Sequence, residues 1–547
     1  MRVFGPMSRV VGCLLALSLV AHPQTRSAGA QPPDSASTPK VAPPLPPAAV
    51  PVADPLYQDL RDLIDRRELA IAGFGARPRS SFLLAQDFAL ADSAADVAAG
   101  DPERTIPAFE RARLGLADPL AVQGVPLTAP APRPLLRFQG RDTRLDISAF
   151  ARFQAESAPE RGFVLTDSTR AGLRFSWLIW PSLHLFEELY VADVEGGREF
   201  ADPLIADSDV IIFQDRAYVA YHTRIADLTF GRDRLSWGPS EPGGTGGLLL
   251  SNGSRPFTHL RVEGAFFDRR LHAIVVNGAL SQAEDRFLAL HRLEWQATPA
   301  LRLAFAEGAA YQSDFVEPLY VVGIIPYPLV GRLLERDNDD RQSDELVRNN
   351  VMWDVDVRYI PRPGVEIYGE LLLDDLGTDS SDTPTRLGYQ MGGVWLGRLS
   401  GRVVRARGEW TRVWRYVYSV FYDQNFIHEG VPLGYPHGPD SRVIHLDTAL
   451  EVRPGLELGA IGERIDHGED GLGVAWDPDD PAQAGADASA FGGVVERQWR
   501  LLGTARYRLP PFLEVNLELG GAWVRNAAHR PDDASGMVGR AVLAITK

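Results

Sequence analysis

From about residue 144 to the end of the chain, apolar and charged residues alternate with a period of two. In the segment VMWDVDVRYI, residues 351–360, apolar and aromatic side chains occupy alternate positions, and Asp354, Asp356 and Arg358 lie between them. Because successive side chains of a β-strand point to opposite faces, such a segment has one apolar face and one charged face. The repetition of this pattern predicts that most of the chain forms two-faced β-strands.

Segments of this kind predict eighteen strands. Most of them are ten to thirteen residues long, which suits a tilted strand that crosses a bilayer better than the roughly five or six residues typical of soluble sheets. The predicted strands are residues 143–154, 170–180, 182–193, 210–222, 224–233, 258–267, 270–278, 287–296, 300–310, 350–360, 364–374, 387–397, 402–414, 442–452, 455–465, 497–508, 512–524 and 536–545.

The connections between these strands are expected to alternate strictly between tight turns and long loops. Tight connections occur at Pro181 and at residues 296–300, 361–364, 453–455 and 510–511. Long connections include residues 155–169, 194–209, 234–257, 311–349, 415–441 and 466–496. Short turns at one end and long loops at the other are typical of outer-membrane barrels, whose short turns face the periplasm. We therefore predict an all-β membrane fold: an 18-stranded antiparallel outer-membrane β-barrel over residues 143–547, with both termini in the periplasm.

Aromatic residues support this orientation, because they cluster beside the tight turns as the interfacial girdle of a barrel requires. They are Trp177, Trp180, Phe266, Phe267, Trp295, Tyr359, Tyr507 and Phe512. The alternative is a large soluble β-sandwich or propeller. That alternative is less favoured, because its loops need not alternate in length and its second face need not be so charged.

The first 135 residues lack the period-two alternation and differ in composition from the rest of the chain. Residues 1–30 contain arginines, an apolar run and a small-residue cleavage signal, which predicts a signal peptide. Residues 31–53 are rich in proline and alanine and predict a linker. In residues 54–135 a helix is expected in DPLYQDLRDLIDRREL, with further helical pieces around residues 80–90 and 102–114, forming a small periplasmic α-helical region.

Composition excludes several classes of function. The net charge is −16 and Cys13, inside the predicted signal peptide, is the only cysteine. An acidic exported chain lacks the basic footprint that nucleic-acid binding requires. Without cysteines the mature chain has no disulfide, thiolate metal site or cysteine nucleophile. We expect no metal and no cofactor, with outer-membrane lipid as a partner and a monomeric barrel.

The glycine-rich stretch WGPSEPGGTGGLLLSN, beginning at Trp237, invites comparison with a phosphate-binding loop. Such a loop needs a lysine directly after its second conserved glycine, and here Gly243 is followed by Gly244 and Thr245. The stretch also follows a predicted strand without opening a helix. We therefore interpret it as a long outer loop that folds back into the barrel, and we expect the same of residues 311–349.

Four stretches, taken in chain order, together resemble the Wzi-type capsule assembly family. They are DPLYQDLRDLIDRREL, GRDRLSWGPSEPGGTGGLLLSNGSRPF at residues 231–257, NNVMWDVDVRYIPRPGVEIYGELLLDD at 349–375 and FIHEGVPLGYPHGPDS at 426–441. The second stretch contains the loop motif of Gly231, Arg232, Gly238, Pro239, Ser251, Asn252 and Pro256. The resemblance implies an eighteen-stranded barrel with periplasmic helices, acting as a lectin-like anchor for capsular polysaccharide.

The loops in the matching motifs offer the groups that carbohydrate recognition uses, namely aromatic faces, carboxylates and arginine. These candidate glycan-binding residues are Trp237, Arg255, Tyr422, His437 and Asp440. Each also has a structural alternative: Trp237 can pack the loop into the lumen, and Arg255 can pair with a lumen carboxylate. Charged networks line the interior of large barrels in any case.

Function therefore has one leading prediction and two alternatives. The leading prediction is a non-catalytic outer-membrane barrel that binds, anchors or helps to assemble capsular or other surface polysaccharide. The first alternative is a porin-like channel or transporter for small solutes, since eighteen strands enclose enough space for an aqueous channel. The second is an enzyme built on Ser441, His445 and Asp447, which is disfavoured because strand geometry spaces these residues by about 7 Å.

Overall fold

The computed structural model describes residues 49–50, 52–67, 69, 74–80, 84, 88, 111–112, 116 and 134–547, apart from gaps at 159–161, 166–168, 181, 194–209, 224, 241, 282–284, 314–315, 324, 339–348, 378–383, 421–423, 478–479, 481–482, 484, 486 and 510–511. The predicted signal peptide, nearly all of the linker, and the helical pieces expected around residues 80–90 and 102–114 lie mostly or entirely outside the described residues. Among the described residues, no helix is both long and apolar enough to cross a membrane.

Eighteen antiparallel strands form a closed barrel, as the alternation predicts. In chain order they are β1 (Arg144–Ala158), β2 (Arg170–Trp180), β3 (Leu183–Asp193), β4 (Val210–His222), β5 (Asp227–Asp233), β6 (Phe257–Phe266), β7 (Leu271–Ser281), β8 (Arg286–Thr298), β9 (Leu301–Gln312), β10 (Asn349–Arg362), β11 (Val365–Asp375), β12 (Arg386–Leu399), β13 (Arg402–Val413), β14 (Ser441–Arg453), β15 (Leu456–His467), β16 (Glu496–Leu509), β17 (Leu513–Arg525) and β18 (Ala534–Thr546). Each strand pairs with its chain neighbour, and β18 pairs with β1 to close the cylinder.

The two faces of the wall have the environments that the sequence predicts. In β10 the side chains of Trp353, Val355 and Tyr359 are exposed on the outside, whereas Asp354 and Asp356 are buried toward the interior. In a bilayer the exposed apolar face meets lipid, and the charged face needs ion pairs or water. The same alternation extends around the barrel, so the amphipathic pattern itself fixes which side of each strand faces inward.

The connections follow the predicted alternation with one exception. On the long-loop side, β7 ends at Ser281 and β8 begins at Arg286, so this connection has only four residues. The strict alternation expected from the sequence is therefore wrong at this point. The reason is that both strands extend beyond their last clearly alternating residue, and the ladder continues to the pair Ser281 and Arg286. Aromatic residues at the opposite end, such as Trp180 and Phe267, are exposed beside the short turns as expected.

Helix α1 (Leu56–Asp65) confirms the helix predicted in this stretch, and it lies inside the barrel near the short turns. Arg61 of α1 donates a hydrogen bond of 2.5 Å to Glu366 on the inner face of β11. Asp62 lies 3.1 Å from Arg405 of β13, and Asp59 lies 3.2 Å from Arg508 of β16. These ion pairs tie one polar helix to three strands, so α1 occupies the interior at the short-turn end.

Residues 313–338 do not fold into the barrel, which corrects the expectation for residues 311–349. Their two helices, α2 (Pro318–Val322) and α3 (Tyr327–Asn338), pack against the outer wall of β7 to β10, and we call this unit the outer hairpin. The cause is a polar spot on that wall. Glu307 of β9 points outward and accepts hydrogen bonds from the backbone N–H of Tyr327, at 2.9 Å, and the indole of Trp353, at 2.5 Å. A carboxylate facing lipid is costly unless it is covered and paired.

Candidate functional site at the long-loop mouth

The glycine-rich stretch folds into the barrel as predicted, and we call residues 234–256 the inner loop. Its Leu248, Leu249 and Leu250 are fully buried and form a hydrophobic cluster with interior residues of several strands. At its start, Ser236 and Trp237 pair with Arg77 and Ala76 in a short antiparallel ladder. The inner loop therefore joins the long-loop end of the barrel to the segment that follows α1.

Two inward carboxylates of the barrel hold the inner loop in place. Glu409 of β13 accepts hydrogen bonds from the hydroxyl of Ser240, at 2.7 Å, and from the backbone N–H of Thr245, at 2.9 Å. Glu370 of β11 accepts one from the backbone N–H of Leu248 at 2.7 Å. Buried backbone N–H and hydroxyl groups need hydrogen-bond acceptors, and these two carboxyl groups supply them. The loop is thus fixed by hydrogen bonds as well as by apolar burial.

Glycine is required where the inner loop doubles back on itself. A Cβ atom at Gly247 would lie 1.8 Å from the carbonyl oxygen of Trp237, a distance that no side chain can accept. Gly238 has a φ of +120° and faces the Glu370 carboxylate, so a larger residue there would be both strained and crowded. These positions explain the glycine content that first suggested a phosphate-binding loop.

A second loop, residues 414–440, closes over the inner loop, and we call it the mouth loop. The hydroxyl of Ser251 donates to the carbonyl of Gly434 at 2.6 Å, and the Ser251 backbone N–H donates to Leu433 at 2.9 Å. The hydroxyl of Tyr418 donates to the carbonyl of Leu248 at 2.6 Å. The two loops thus form one packed layer across the mouth of the barrel.

The structure separates the five predicted glycan-binding residues. Arg255 is exposed at the end of the inner loop, and His437 is half-buried in the mouth loop beside Tyr435, with 5.6 Å between the ring centroids. The side chain of Trp237 is 1% exposed, so its indole packs the loop into the interior and is closed to a ligand in solvent. Tyr422 lies outside the described residues.

Asp440 is buried and connects loops. Its carboxylate accepts a hydrogen bond from the backbone N–H of Gly492 at 2.9 Å, and it lies 3.7 Å from the guanidinium of Arg412. Burial raises the pKa of the Asp440 carboxyl, and the hydrogen bond from Gly492 and the charge of Arg412 oppose that rise. The arrangement gives Asp440 a role in tying the mouth loop to residues 468–492.

Burial lowers the pKa of His437 to about 4, although the nearby Glu463 carboxylate acts in the opposite direction. The imidazole is therefore neutral at physiological pH. A neutral imidazole can donate one hydrogen bond and accept another, which is the pattern that sugar hydroxyls match. Arg255, at the end of the inner loop, supplies a permanent positive charge for carboxylate, phosphate or hydroxyl groups.

The loop-motif residues have mainly structural positions. Ser251 ties the two loops, as described above, and Pro239 is buried. Gly231 lies in β5 with a φ of +144°, where a Cβ atom would be 2.2 Å from the Ala217 carbonyl. Arg232 pairs with Glu429 of the mouth loop at 3.4 Å. The carbonyl of Asn252 accepts a hydrogen bond from Arg234, and the carbonyl of Pro256 lies 3.1 Å from His428.

Ser441, His445 and Asp447 do not form a hydrolytic arrangement. The Ser441 hydroxyl donates to the carbonyl of Gly438 at 2.7 Å, so it is engaged with backbone. His445 lies between Glu463, at 2.8 Å, and Asp447, at 3.4 Å, so the histidine and aspartate are closer than strand spacing alone indicates. A nucleophile hydrogen-bonded to the imidazole is what a triad needs. Within the part of the chain that the structure covers, no cluster of three or more His, Cys, Asp or Glu residues is placed to hold a metal ion.

Another part of the interior wall has a different character. The inward faces of β16, β17, β18 and β1 include a group of charged, half-buried side chains, which are Arg152, Arg500, Glu514, Glu518 and Arg540. The inner loop is bonded to β11 and β13, whereas these charged side chains, on the strands where the barrel closes, keep partial exposure.

The sequence alone does not identify Glu370, Glu409 and Tyr418 as the residues that hold the inner loop. The alternation does place Glu370 and Glu409 on the inward face, because each lies between outward apolar neighbours. Nothing in the sequence relates them to a loop that enters between β5 and β6. That pairing depends on the curvature of the closed barrel.

No protein-family model matches the chain, and no curated protein sequence matches it. Among solved structures, Wzi of Escherichia coli, described as a carbohydrate-binding β-barrel involved in group 1 capsule assembly, matches 91% of this chain and 99% of its own, with a TM-score of 0.57 and 14% identity. OccAB1 of Acinetobacter baumannii matches 74% of this chain and 96% of its own, with a TM-score of 0.43 and 10% identity. OccK5 of Pseudomonas aeruginosa matches 74% and 98%, with a TM-score of 0.41 and 10% identity. At 14% identity the likeness to Wzi shows the fold, that of an outer-membrane β-barrel.

Proposed function

We propose that this barrel is a non-catalytic protein that binds and anchors a surface polysaccharide at its long-loop mouth. In this proposal the long loops face the exterior, and the chain termini and short turns face the periplasm. The observation that carries it is the packed layer formed by the inner loop and the mouth loop, which presents Arg255 and His437 at the end where a cell-surface polymer would arrive. The match to Wzi, a barrel described as binding carbohydrate, supports it.

The layer is suited to holding a polymer because hydrogen bonds fix its two loops to each other and to the barrel wall. Ser251, Tyr418 and Glu409 fix it through hydrogen bonds of 2.6 to 2.7 Å. A preorganised surface loses little conformational entropy on binding, so a long chain can be held through several weak contacts along its length. Tyr422 of the mouth loop stays a candidate contact residue in this proposal, whereas Trp237 and Asp440 support the layer from beneath.

Binding to purified protein tests the proposal. Surface polysaccharide extracted from the native host is passed over immobilised wild-type protein and over the double variant Arg255→Ala/His437→Ala. We expect the variant to bind at least about tenfold more weakly, because it loses a charge-assisted contact and a hydrogen-bonding ring. Arg530→Ala, at an exposed arginine in the loop between β17 and β18, is the matched control and keeps wild-type binding. Equal binding by all three proteins, or none by the wild type, refutes the proposal.

Passage of a small solute is a second candidate, favoured by the half-exposed charged wall of β16, β17, β18 and β1. Single-channel recording in planar bilayers separates the two. An anchor whose interior is packed by α1 and the inner loop gives no steady open current. Sizeable, stable currents from the wild-type protein would instead identify a channel, and the interior wall would then be its selectivity surface.

A further inference from the structure

The outer wall of β13 to β17 has a row of charged residues at its long-loop end. The strand register places Arg412 beside Arg442, Arg442 beside Asp466, Asp466 beside Arg497, and Arg497 beside Arg525. We call these five residues the arginine row. They point outward, because the residues between them in the same strands, such as Val443 and Ile465, belong to the interior hydrophobic cluster.

An aromatic row lies directly below the arginine row on the same outer face, two residues closer to the short turns. The register joins Trp410 to Ile444, Ile444 to Arg464, Arg464 to Trp499, and Trp499 to Trp523. The side chain of Trp523 is 51% exposed. Tryptophan concentrates where hydrocarbon meets the polar headgroups of a bilayer. The arginine row is therefore at the level of the headgroups, and the aromatic row is at the level of the upper hydrocarbon.

The charges in these two rows are unbalanced. The single carboxylate of Asp466 accepts hydrogen bonds from both Arg442 and Arg464. The Nε atom of Arg442 lies 2.9 Å from one carboxylate oxygen, and that of Arg464 lies 3.1 Å from the other. Arg497 and Arg525 are exposed, and neither forms an ion pair among the described residues. The wall thus has more guanidinium groups than nearby carboxylates can neutralise.

Arg412 differs from the other arginines of the row because its guanidinium is already engaged by an aromatic ring and by backbone carbonyls. It lies 3.9 Å from the ring centroid of Phe491 and donates to the backbone carbonyls of Val413 and Ser489, each at 2.9 Å. Phe491 also lies 5.4 Å from the guanidinium of Arg442. Arg412 and Phe491 hold one edge of the row, and Arg442, Arg497 and Arg525 remain directed toward the membrane surface.

We propose that the arginine row binds the phosphorylated headgroup of a lipid in the outer leaflet. Guanidinium groups bind phosphate oxygens in pairs of parallel hydrogen bonds, and they do so most strongly near a low-dielectric surface. The aromatic row beneath provides a surface for the acyl chains of the same molecule. This continuity of polar and apolar contacts distinguishes a lipid from free phosphate. The assignment to the outer leaflet rests on the orientation given under Proposed function, whereas polysaccharide binding plays no part in it.

Lipid binding to the full-length barrel in detergent tests this proposal. The probes are bisphosphorylated lipid A, the same lipid after enzymatic removal of its phosphates, and inorganic phosphate as a competitor. The variant is Arg497→Gln/Arg525→Gln, which changes two exposed side chains and keeps the pairs around Asp466 intact. The matched control is Arg362→Gln/Arg402→Gln, which removes two exposed arginines at the short-turn end and gives the same change in net charge. Native mass spectrometry measures the bound lipid.

We expect the wild type and the control to bind the bisphosphorylated lipid equally, and the Arg497→Gln/Arg525→Gln variant to bind about tenfold more weakly. Removal of the phosphates should weaken binding to the wild type by a similar factor. Three results would overturn the proposal: equal binding by the variant, equal binding of the phosphate-free lipid, or complete displacement of the lipid by inorganic phosphate. Because no polysaccharide is present, the result is independent of the proposed anchoring function.

Discussion

Single glycines decide whether the inner loop can close the mouth of the barrel. At Gly247 an added methyl group would overlap the carbonyl oxygen of Trp237, and the loop backbone on both sides is buried. Such overpacking typically costs about 1 to 3 kcal/mol. The loop therefore depends on the absence of a side chain more than on any particular side chain.

We predict that Gly247→Ala loosens the inner loop while the barrel stays folded. Amide hydrogen exchange across residues 237–251 should accelerate, because the loop must move away from Trp237 to admit the methyl group. Gly471→Ala, where an added Cβ atom meets no atom within 4 Å, is the control and should exchange like the wild type. Unchanged exchange in Gly247→Ala would show that the loop is not packed as described.

The depressed pKa of His437 makes the mouth loop sensitive to acid. In the closed loop the pKa is about 4, and in an opened loop it returns toward the ordinary value of 6.5. The neutral imidazole therefore stabilises the closed loop fully at pH values above the ordinary pKa of 6.5. This stabilisation is lost as the pH falls toward the lowered pKa of about 4. Hydrogen exchange of residues 433–440, corrected for its intrinsic pH dependence, should show more opening near pH 5 than near pH 7. His437→Gln should reduce this difference, and an identical pH response in the variant would contradict the prediction.

At the residue scale, the sequence identified positions but often misjudged their roles. Glycines, Ser251 and Asp440 stood out because of their motif, yet the structure uses them to join loops. Trp237 has the aromatic ring that a sugar contact requires, but its indole is buried in a cluster with Leu250 and Ala76. Leu250 lies near the other end of the same loop, and Ala76 belongs to the segment that follows α1. Exposure of a loop side chain is set by tertiary packing, so composition alone could not separate Arg255 from Trp237.

The outer hairpin shows how one outward polar side chain can determine the position of a whole element. Glu307 contacts His291 at 3.1 Å and the backbone of Tyr327 at 2.9 Å, and its side chain is fully buried beneath α3. We predict that Glu307→Ala releases the hairpin, because the N–H of Tyr327 and the indole of Trp353 then lose a charged acceptor. Limited proteolysis at residues 327–338 measures the release.

The control for this prediction is Glu187→Ala, at an outward carboxylate of β3 that is bonded to Gln214 and not covered by a helix. The control should be cleaved at the wild-type rate, whereas Glu307→Ala should be cleaved several-fold faster. If both variants are cleaved like the wild type, the hairpin is held mainly by the stacking of Tyr311 on Tyr320, whose centroids are 4.4 Å apart.

At the element scale, the strands were predictable, whereas only one of the two long loops expected inside the barrel, the inner loop, lies there. Period-two alternation gave eighteen strands whose bounds differ from the observed ones by a few residues, because both faces of a barrel wall impose the pattern locally. Loops lack such a constraint. Residues 311–349 were expected inside, but His291 and Glu307 interrupt the outward apolar face of β8 and β9, and this interruption was the available signal that something covers that wall.

At the scale of the whole molecule, charge organises the interior. Helix α1 joins β11, β13 and β16 through ion pairs near the short turns, and Glu370 and Glu409 hold the inner loop from the same side of the barrel. Removing one partner of a buried ion pair typically costs about 3 to 5 kcal/mol, so loss of an α1 partner should be strongly destabilising. The barrel therefore has the packed loop layer at one end and α1 in its interior at the other.

In the cell, the layer at the mouth is proposed to retain polysaccharide on the surface. The most direct measurement compares the polysaccharide bound to cells with that released into the medium. The strains carry the wild-type gene, a deletion, or the deletion complemented by Arg255→Ala/His437→Ala. We predict that the deletion and the complemented variant release most of their polysaccharide while total synthesis is unchanged. Equal retention by all three strains would contradict the account.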